Sequence, residues 1–212
     1  DTHRMTTVHM EPAFAIAADR VFDGHRFHER AAVLIERGRV RDIALHGDIP
    51  HTWKLREMPP GTLLAPGFID LQDNGGGGVL MNDQPTEDGL KSIARAHRRF
   101  GTTGCLPTMI TDTRAKAQAA ITAAARAAGT DGVLGLHLEG PFISPARPGI
   151  HSRERIAAAS FDDLEWLDGL SSAGTSLITL APECVPEGFV RRLADLGIRV
   201  SAGHSEASAV VM

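Results

Sequence analysis

The chain is poor in cysteine. Its 212 residues contain two, Cys105 and Cys184, with no C-x-x-C spacing. A reduced, cytoplasmic chain fits this better than a disulfide framework. A basic excess is also missing: 22 Lys and Arg stand against 26 Asp and Glu, a net charge of −4. Nucleic acid is therefore not an expected partner. No apolar run reaches transmembrane length, and no charged segment precedes a short apolar one, so neither a membrane span nor a signal peptide is expected. The glycine run DNGGGGV (73–79) lacks the GK[ST] of a phosphate-binding loop and reads as a tight turn. What remains is an ordinary globular composition. Hydrophobic residues make up 42% and charged residues 23%, enough for a core in one large domain or two small ones. Residues 1–5, DTHRM, read as an expression remnant ahead of the fold, with Met5 as the natural start.

Punctuation and periodicity divide the chain. Residues 1–63 read as β, a small β-sandwich portion: AIAADRVF, AAVLIE and VRDIAL are strands, with turns at Asp23-Gly24 and Gly38. Pro59-Pro60-Gly61 closes this part. Residues 64–212 alternate. LLAPGFIDLQ, TGCLPTMI, GVLGLHLE, SLITLAPE and IRVSAGH are apolar strands. Between them lie helices at TEDGLKSIARAHRRFG, where Leu90, Ile93, Ala94 and Phe100 keep helical spacing, and at TRAKAQAAITAAARAAG, FDDLEWLDGL and PEGFVRRLADLG. Ser160 and Asp163 suggest a capping box for the third helix, and SEASAVVM begins a fifth. About five β/α units imply a parallel sheet with its active site at the carboxyl ends of the strands. A full eight-fold barrel needs ~250 residues, so the pattern predicts a partial barrel whose parent chain continues past Met212.

Polar residues cluster where these strands end: Gln72 and Asn74, Thr108, Glu139, Glu183 and His204. In GVLGLHLEGPF (132–142), His137 and Glu139 lie two apart and share one face, while Leu136 and Leu138 take the other. A carboxylate at a buried strand mouth needs a partner, either a divalent metal or a basic side chain. His204, beside Gly203, makes a metal pair with Glu139 plausible, although by itself it reads as a histidine at a helix start capped by Ser205. A catalytic zinc site would need a third protein ligand. His137 sits deeper than Glu139 and suits a supporting role. His151 lies in the long loop after the Glu139 strand, where it can reach a substrate as readily as solvent. His3, His9, His25, His28, His46, His51 and His97 have weaker claims.

Taken together, APGFIDLQDNGGGGV, LPTMIT, GLHLEGPFI, RPGIHS, TLAPE and VSAGHS, in this order from Ala65 to Ser205, resemble the N-acetylglucosamine-6-phosphate deacetylase family of the metal-dependent amidohydrolase superfamily. The N-terminal RVFDGHRF is similar to the family's opening strand and turn. The resemblance implies a (β/α)8 barrel with a small β domain built from both chain ends. It implies Glu139 and His204 as ligands of one divalent metal, zinc or iron, and Ile150 and His151 as substrate contacts. A third ligand histidine, the catalytic aspartate and a phosphate-binding arginine would lie beyond Met212, so no catalytic residue is expected within the chain. Ser152 and Pro148 depart from the family's usual Asn and Lys in that loop. Where many superfamily members carry His-x-His, this chain has Gln72 and Asn74, amides that bind zinc poorly. One metal is therefore expected, with Gln72 and Asn74 orienting water or substrate.

The implied reaction hydrolyses the acetamide of N-acetylglucosamine 6-phosphate to acetate and glucosamine 6-phosphate, in a homodimer. Two rivals remain open. One is another amidohydrolase, a cyclic amidase or a deaminase. The other is an inactive fragment lacking the C-terminal catalytic residues.

Overall fold

The computed structural model describes residues 13–208. His3, His9, the 1–5 remnant and the last four residues of SEASAVVM lie outside them. The chain divides into two compact units, 1–66 and 67–212.

The first unit is one five-stranded sheet. Strands β1 (Phe14–Phe22), β2 (Phe27–Glu36) and β3 (Arg39–Leu45) form an antiparallel meander, and β4 (Lys54–Glu57) and β5 (Leu63–Leu64) add parallel to β1. The turns follow their residues. Asp23 Oδ1 accepts from the backbone N–H groups of His25 and Arg26, and Arg37-Gly38 adopts the double positive φ of a type I′ hairpin. Two apolar clusters lie on opposite faces. Ala15, Ala17, Ala32 and Leu34 pack with Trp53, and Ala18, Val21 and Ala31 pack with Val33, Met58 and Leu64. The LL of LLAPGFIDLQ thus belongs here and not to the next strand, a correction with a simple cause: Pro66 has no N–H to continue a ladder.

The second unit is a parallel α/β sheet. Its strands are β6 (Phe68–Asp73), β9 (Thr102–Ile110), β10 (Gly135–Glu139), β11 (Thr175–Leu180) and β12 (Arg199–Ala202), paired strictly in chain order. Between β6 and β9 come the short hairpin β7 (Gly75–Gly76) and β8 (Val79–Leu80), then helix α1 (Glu87–Arg98). Helices α2 (Arg114–Ala127), α3 (Asp163–Leu167) and α4 (Phe189–Asp195) fill the later crossovers. Sequential order without reversal, with right-handed crossovers, puts every helix on one face and lets the sheet curl. The core lies on that face. Leu90, Ile93 and Ala94 of α1 and Ala120, Ile121 and Ala124 of α2 pack against Met109, Leu136, Leu138 and Ile178.

Caps explain the helix starts. Thr86 accepts from the N–H of Gly89 and Thr113 from that of Lys116. Three expectations need correction. Phe100 is no part of the buried stripe: it lies beyond the end of α1 and is 78% exposed. The Ser160–Asp163 box is half made, because Asp163 reaches back to the Ser160 N–H at 2.9 Å while the Ser160 hydroxyl donates to the same carboxylate. Helix α3 is accordingly short and runs on as a 3-10 segment. Residues Ser205 to Ser208 are not helical, since Glu183 rather than a helical turn engages the polar groups of Ser205 and Glu206. No helix among the described residues is long and apolar enough to cross a membrane.

Both cysteines are free. Burial first, then the Asp73 carboxylate, pushes the Cys105 thiol up to about 12. Iodoacetamide at pH 8 is therefore expected to leave Cys105 untouched in the folded protein, while half-buried Cys184, whose thiol burial and Glu183 also raise, is labelled slowly. Peptide mapping reads the result, and alkylated Cys105 in native protein would contradict the packing.

Candidate metal centre

Strand alternation delivers Glu139. Its neighbours Leu136 and Leu138 enter the helix-side core, so His137 and Glu139 face the opposite side. Glu139 ends β10, is 8% exposed, and uses both carboxylate oxygens. Oε1 lies 3.0 Å from His204 Nε2, and Oε2 accepts from Gln72 Nε2 at 3.0 Å. His151 Nε2 is 3.7 Å from Oε1, an ion-pair separation and not a hydrogen bond. Even so, His151 first, then His204, hold the Glu139 carboxyl at about 2, against burial that pushes it up. The acid is thus ionised throughout the neutral range. No arginine or lysine neutralises it among the described residues.

His151 comes from the loop after β10 and is buried at 4% exposure. Its Nδ1 meets Thr111 Oγ1 at 2.7 Å and the Thr111 N–H at 3.3 Å. Its Nε2 is a buried nitrogen without a hydrogen-bond partner. Gly140 makes this close approach possible. Its φ is +81°, and a Cβ there would run into the Thr111 hydroxyl. Across the site, Gly203 plays the same part, because a Cβ at 203 would sit 2.6 Å from Thr179 Cγ2. The rings of His151 and His204 meet edge to face, 4.6 Å between centroids.

Donor atoms of Glu139, His151 and His204 therefore converge, all within 4.8 Å of one another. A carboxylate with two imidazoles is a donor set that suits zinc or another borderline divalent ion. The orphaned Nε2 of His151 is a separate resource: with Nδ1 accepting from the Thr111 N–H, the neutral ring carries its proton on Nε2, a buried donor in need of an acceptor.

The remaining sequence candidates divide. Gln72 reaches the cluster through Glu139. Asn74 is exposed, and its carbonyl accepts from the Met81 N–H at 3.0 Å. Ile150 is 85% exposed beside buried His151. His137 has its ring nitrogens committed to Thr108 at 3.2 Å and Thr179 at 2.8 Å, tying β9, β10 and β11 together. Burial pulls its pKa down, with Glu139 and the Leu71 carbonyl pulling the other way.

Two features escaped sequence reasoning. The β6–β9 register shifts between Asp70 and Asp73, opposite Pro107, which has no N–H for the ladder. That bulge lets Gln72 face the site while its neighbour turns under. The neighbour, Asp73, is buried with Oδ2 unpartnered and Oδ1 3.4 Å from His97 Nε2, and burial first, then Asp70, raises its pKa. Pro107 inside an apolar run was the available signal for the bulge.

No family model matches the chain. Individual relatives do. It is 44% identical over 163 residues to an N-acetylgalactosamine-6-phosphate deacetylase of Shewanella sp. (strain ANA-3), covering 76% of this chain and 40% of that protein. It is 40% identical over 158 residues to the N-acetylglucosamine-6-phosphate deacetylase of Homo sapiens, covering 69% and 38%. A crystal structure of the N-acetylglucosamine-6-phosphate deacetylase from Pasteurella multocida superposes with a TM-score of 0.85 at 29% identity, over 94% of this chain and 52% of that one. The chain thus spans about 40% of the length of these curated relatives. The sequentially ordered parallel sheet, shared with that crystal structure, puts the second unit in the class of parallel α/β barrel-type folds. Within that class, the chain belongs to the family of N-acetylglucosamine- and N-acetylgalactosamine-6-phosphate deacetylases, as part of a family chain.

Proposed function

We propose that the full-length protein is a (β/α)8-barrel deacetylase that hydrolyses the acetamide of N-acetylglucosamine 6-phosphate, giving acetate and glucosamine 6-phosphate. The observation that carries this reading is the convergence of Glu139 and His204 from separate strands, with the unpartnered His151 Nε2 aimed at the same point. Glu139 and His204 would hold one divalent cation, which supplies Lewis acidity to polarise the amide carbonyl and acidify a water. Gln72 fixes the second oxygen of Glu139. Thr111 orients His151, which presents Nε2 to the substrate amide, and the neighbouring Ile150 belongs to the same contact. Asn74 stands exposed at the same sheet end. Phe68, Ile69 and Leu71 of edge strand β6 are 70%, 65% and 53% exposed, as expected of a sheet that further strands of the complete barrel would cover.

Substitution of His151 by Asn separates the two roles open to it. The variant is expected to keep its metal and lose roughly 10²–10³-fold in kcat, the usual cost of removing one polar group that acts on the reacting carbonyl. Loss of the metal instead would make His151 a ligand.

A second substrate has its own support, because the Shewanella relative at 44% identity is named for the galactosamine epimer. Acetate release from N-acetylglucosamine 6-phosphate and from N-acetylgalactosamine 6-phosphate, compared as kcat/KM in the full-length protein, decides between them. Turnover of neither, with turnover of cyclic ureides or aminopurines, would place the protein with the cyclic amidases or deaminases.

A further inference from the structure

His204 stands in a backbone conformation that histidine seldom adopts. Its φ is +52°, in the left-handed region that favours glycine. Glycine is unavailable at 204 because the imidazole is what the site uses. The conformation must therefore be held from outside the residue. One hold comes from the loop after β10. The Ser144 N–H donates to the His204 carbonyl at 2.9 Å, and His204 Nδ1 meets the Arg147 carbonyl at 2.8 Å. The other comes from Glu183, in the turn that ends β11. Its Oε2 accepts from the Ser205 hydroxyl at 2.6 Å and its Oε1 from the Glu206 N–H at 2.7 Å. Ser205 Oγ in turn accepts from the Ala207 N–H at 2.9 Å. A single carboxylate thus grips the two residues that follow His204. Its own turn is anchored, with the Ala181 N–H donating to the Phe142 carbonyl at 2.8 Å and the Cys184 N–H to the Ala181 carbonyl at 2.9 Å.

We propose that Glu183 is a positioning residue of the cation site: through Ser205 and Glu206 it holds His204 in the left-handed conformation that aims Nε2 at Glu139. The proposal rests on the reading that Glu139 and His204 bind a divalent cation. Glu183 never touches the ion. It removes the freedom of the segment that carries the imidazole, so the ligand is already in place before binding. Chemistry selects the residue type. Both partners donate to it, the Ser205 hydroxyl and the Glu206 N–H, and a carboxylate offers each an acceptor oxygen. Glutamine keeps one of them and alanine neither.

The test is Zn²⁺ titration of metal-free full-length protein, with apo melting temperatures as a control on folding. Wild type is expected to bind one ion at this site, and His204→Ala to abolish that binding. Glu183→Ala is expected to weaken it roughly 10–100-fold, the usual effect of losing a group that supports a ligand, and Glu183→Gln by less. The apo melting temperature should stay put, since Glu183 is exposed. Ser205→Ala should weaken binding too, and the double variant should lose less than the two single losses added together, because the Glu183–Ser205 contact is common to both. Wild-type affinity in Glu183→Ala overturns the proposal and leaves the metal reading intact. If Glu183→Ala fails to fold, wild-type affinity in both Glu183→Gln and Ser205→Ala overturns it equally. No binding by wild type, or unchanged binding by His204→Ala, overturns the metal reading itself.

Discussion

Full-length protein with Glu139→Gln is expected to emerge from purification without a divalent ion and without the proposed deacetylase activity. The substitution keeps volume and shape but removes the charge. Glu139 Oε1 faces His204 Nε2 at 3.0 Å and Oε2 accepts from Gln72 at 3.0 Å. The glutamine oxygen can still accept from Gln72, but its NH2 then faces His204 Nε2 and offers a cation neither charge nor a lone pair. Removing one charge from a buried, paired site costs about 3–5 kcal/mol, which corresponds to roughly two to four orders of magnitude in metal affinity. Elemental analysis of the purified variant together with acetate release measures both consequences. Undiminished metal content would remove Glu139 from the site.

The second large effect is on stability. Phe142→Ala is expected to cost about 3–5 kcal/mol, typical of emptying a buried aromatic site. For a domain of this size that lowers the melting temperature by roughly 6–20 °C. Phe142 is 2% exposed, edge-on to Phe189 at 6.0 Å between centroids and tilted against Trp166 at 6.3 Å. It lies three residues after Glu139 and pins the start of the long loop to α3 and α4. A loss of only a degree or two in a thermal melt would mean that this loop is anchored elsewhere.

Periodicity carried much of the fold and part of the site. Apolar runs of strand length alternating with capped helical stretches located the five parallel strands and the four helices between them. The spacing of His137 and Glu139 against Leu136 and Leu138 assigned the two faces, because a strand's period of two leaves no freedom. Periodicity fails where the chain has none. Residues 140–160 form an irregular loop, and nothing local indicates that His151 turns inward, since its partner Thr111 is 40 residues away. The bulge in β6 depends on Pro107 in a different strand, and only the paired sheet shows its consequence for Gln72 and Asp73. Phe100 matched the helical stripe in spacing, yet the helix ends before it at Arg98, and an apolar side chain past a helix end has no core to enter. Glu183 was visible as a polar residue at a strand end, but its work on Ser205 and Glu206 spans more than 20 residues of sequence and rests on a backbone conformation that residue type disguises.

Whether Glu139 and His204 grip a cation is read directly from an anomalous difference map, recorded at the zinc edge from crystals of full-length protein grown with Zn²⁺. One strong peak is expected within bonding distance of a Glu139 carboxylate oxygen and His204 Nε2. A peak elsewhere with these two side chains unengaged, or full catalytic activity with no ion bound to them, would contradict the metal assignment.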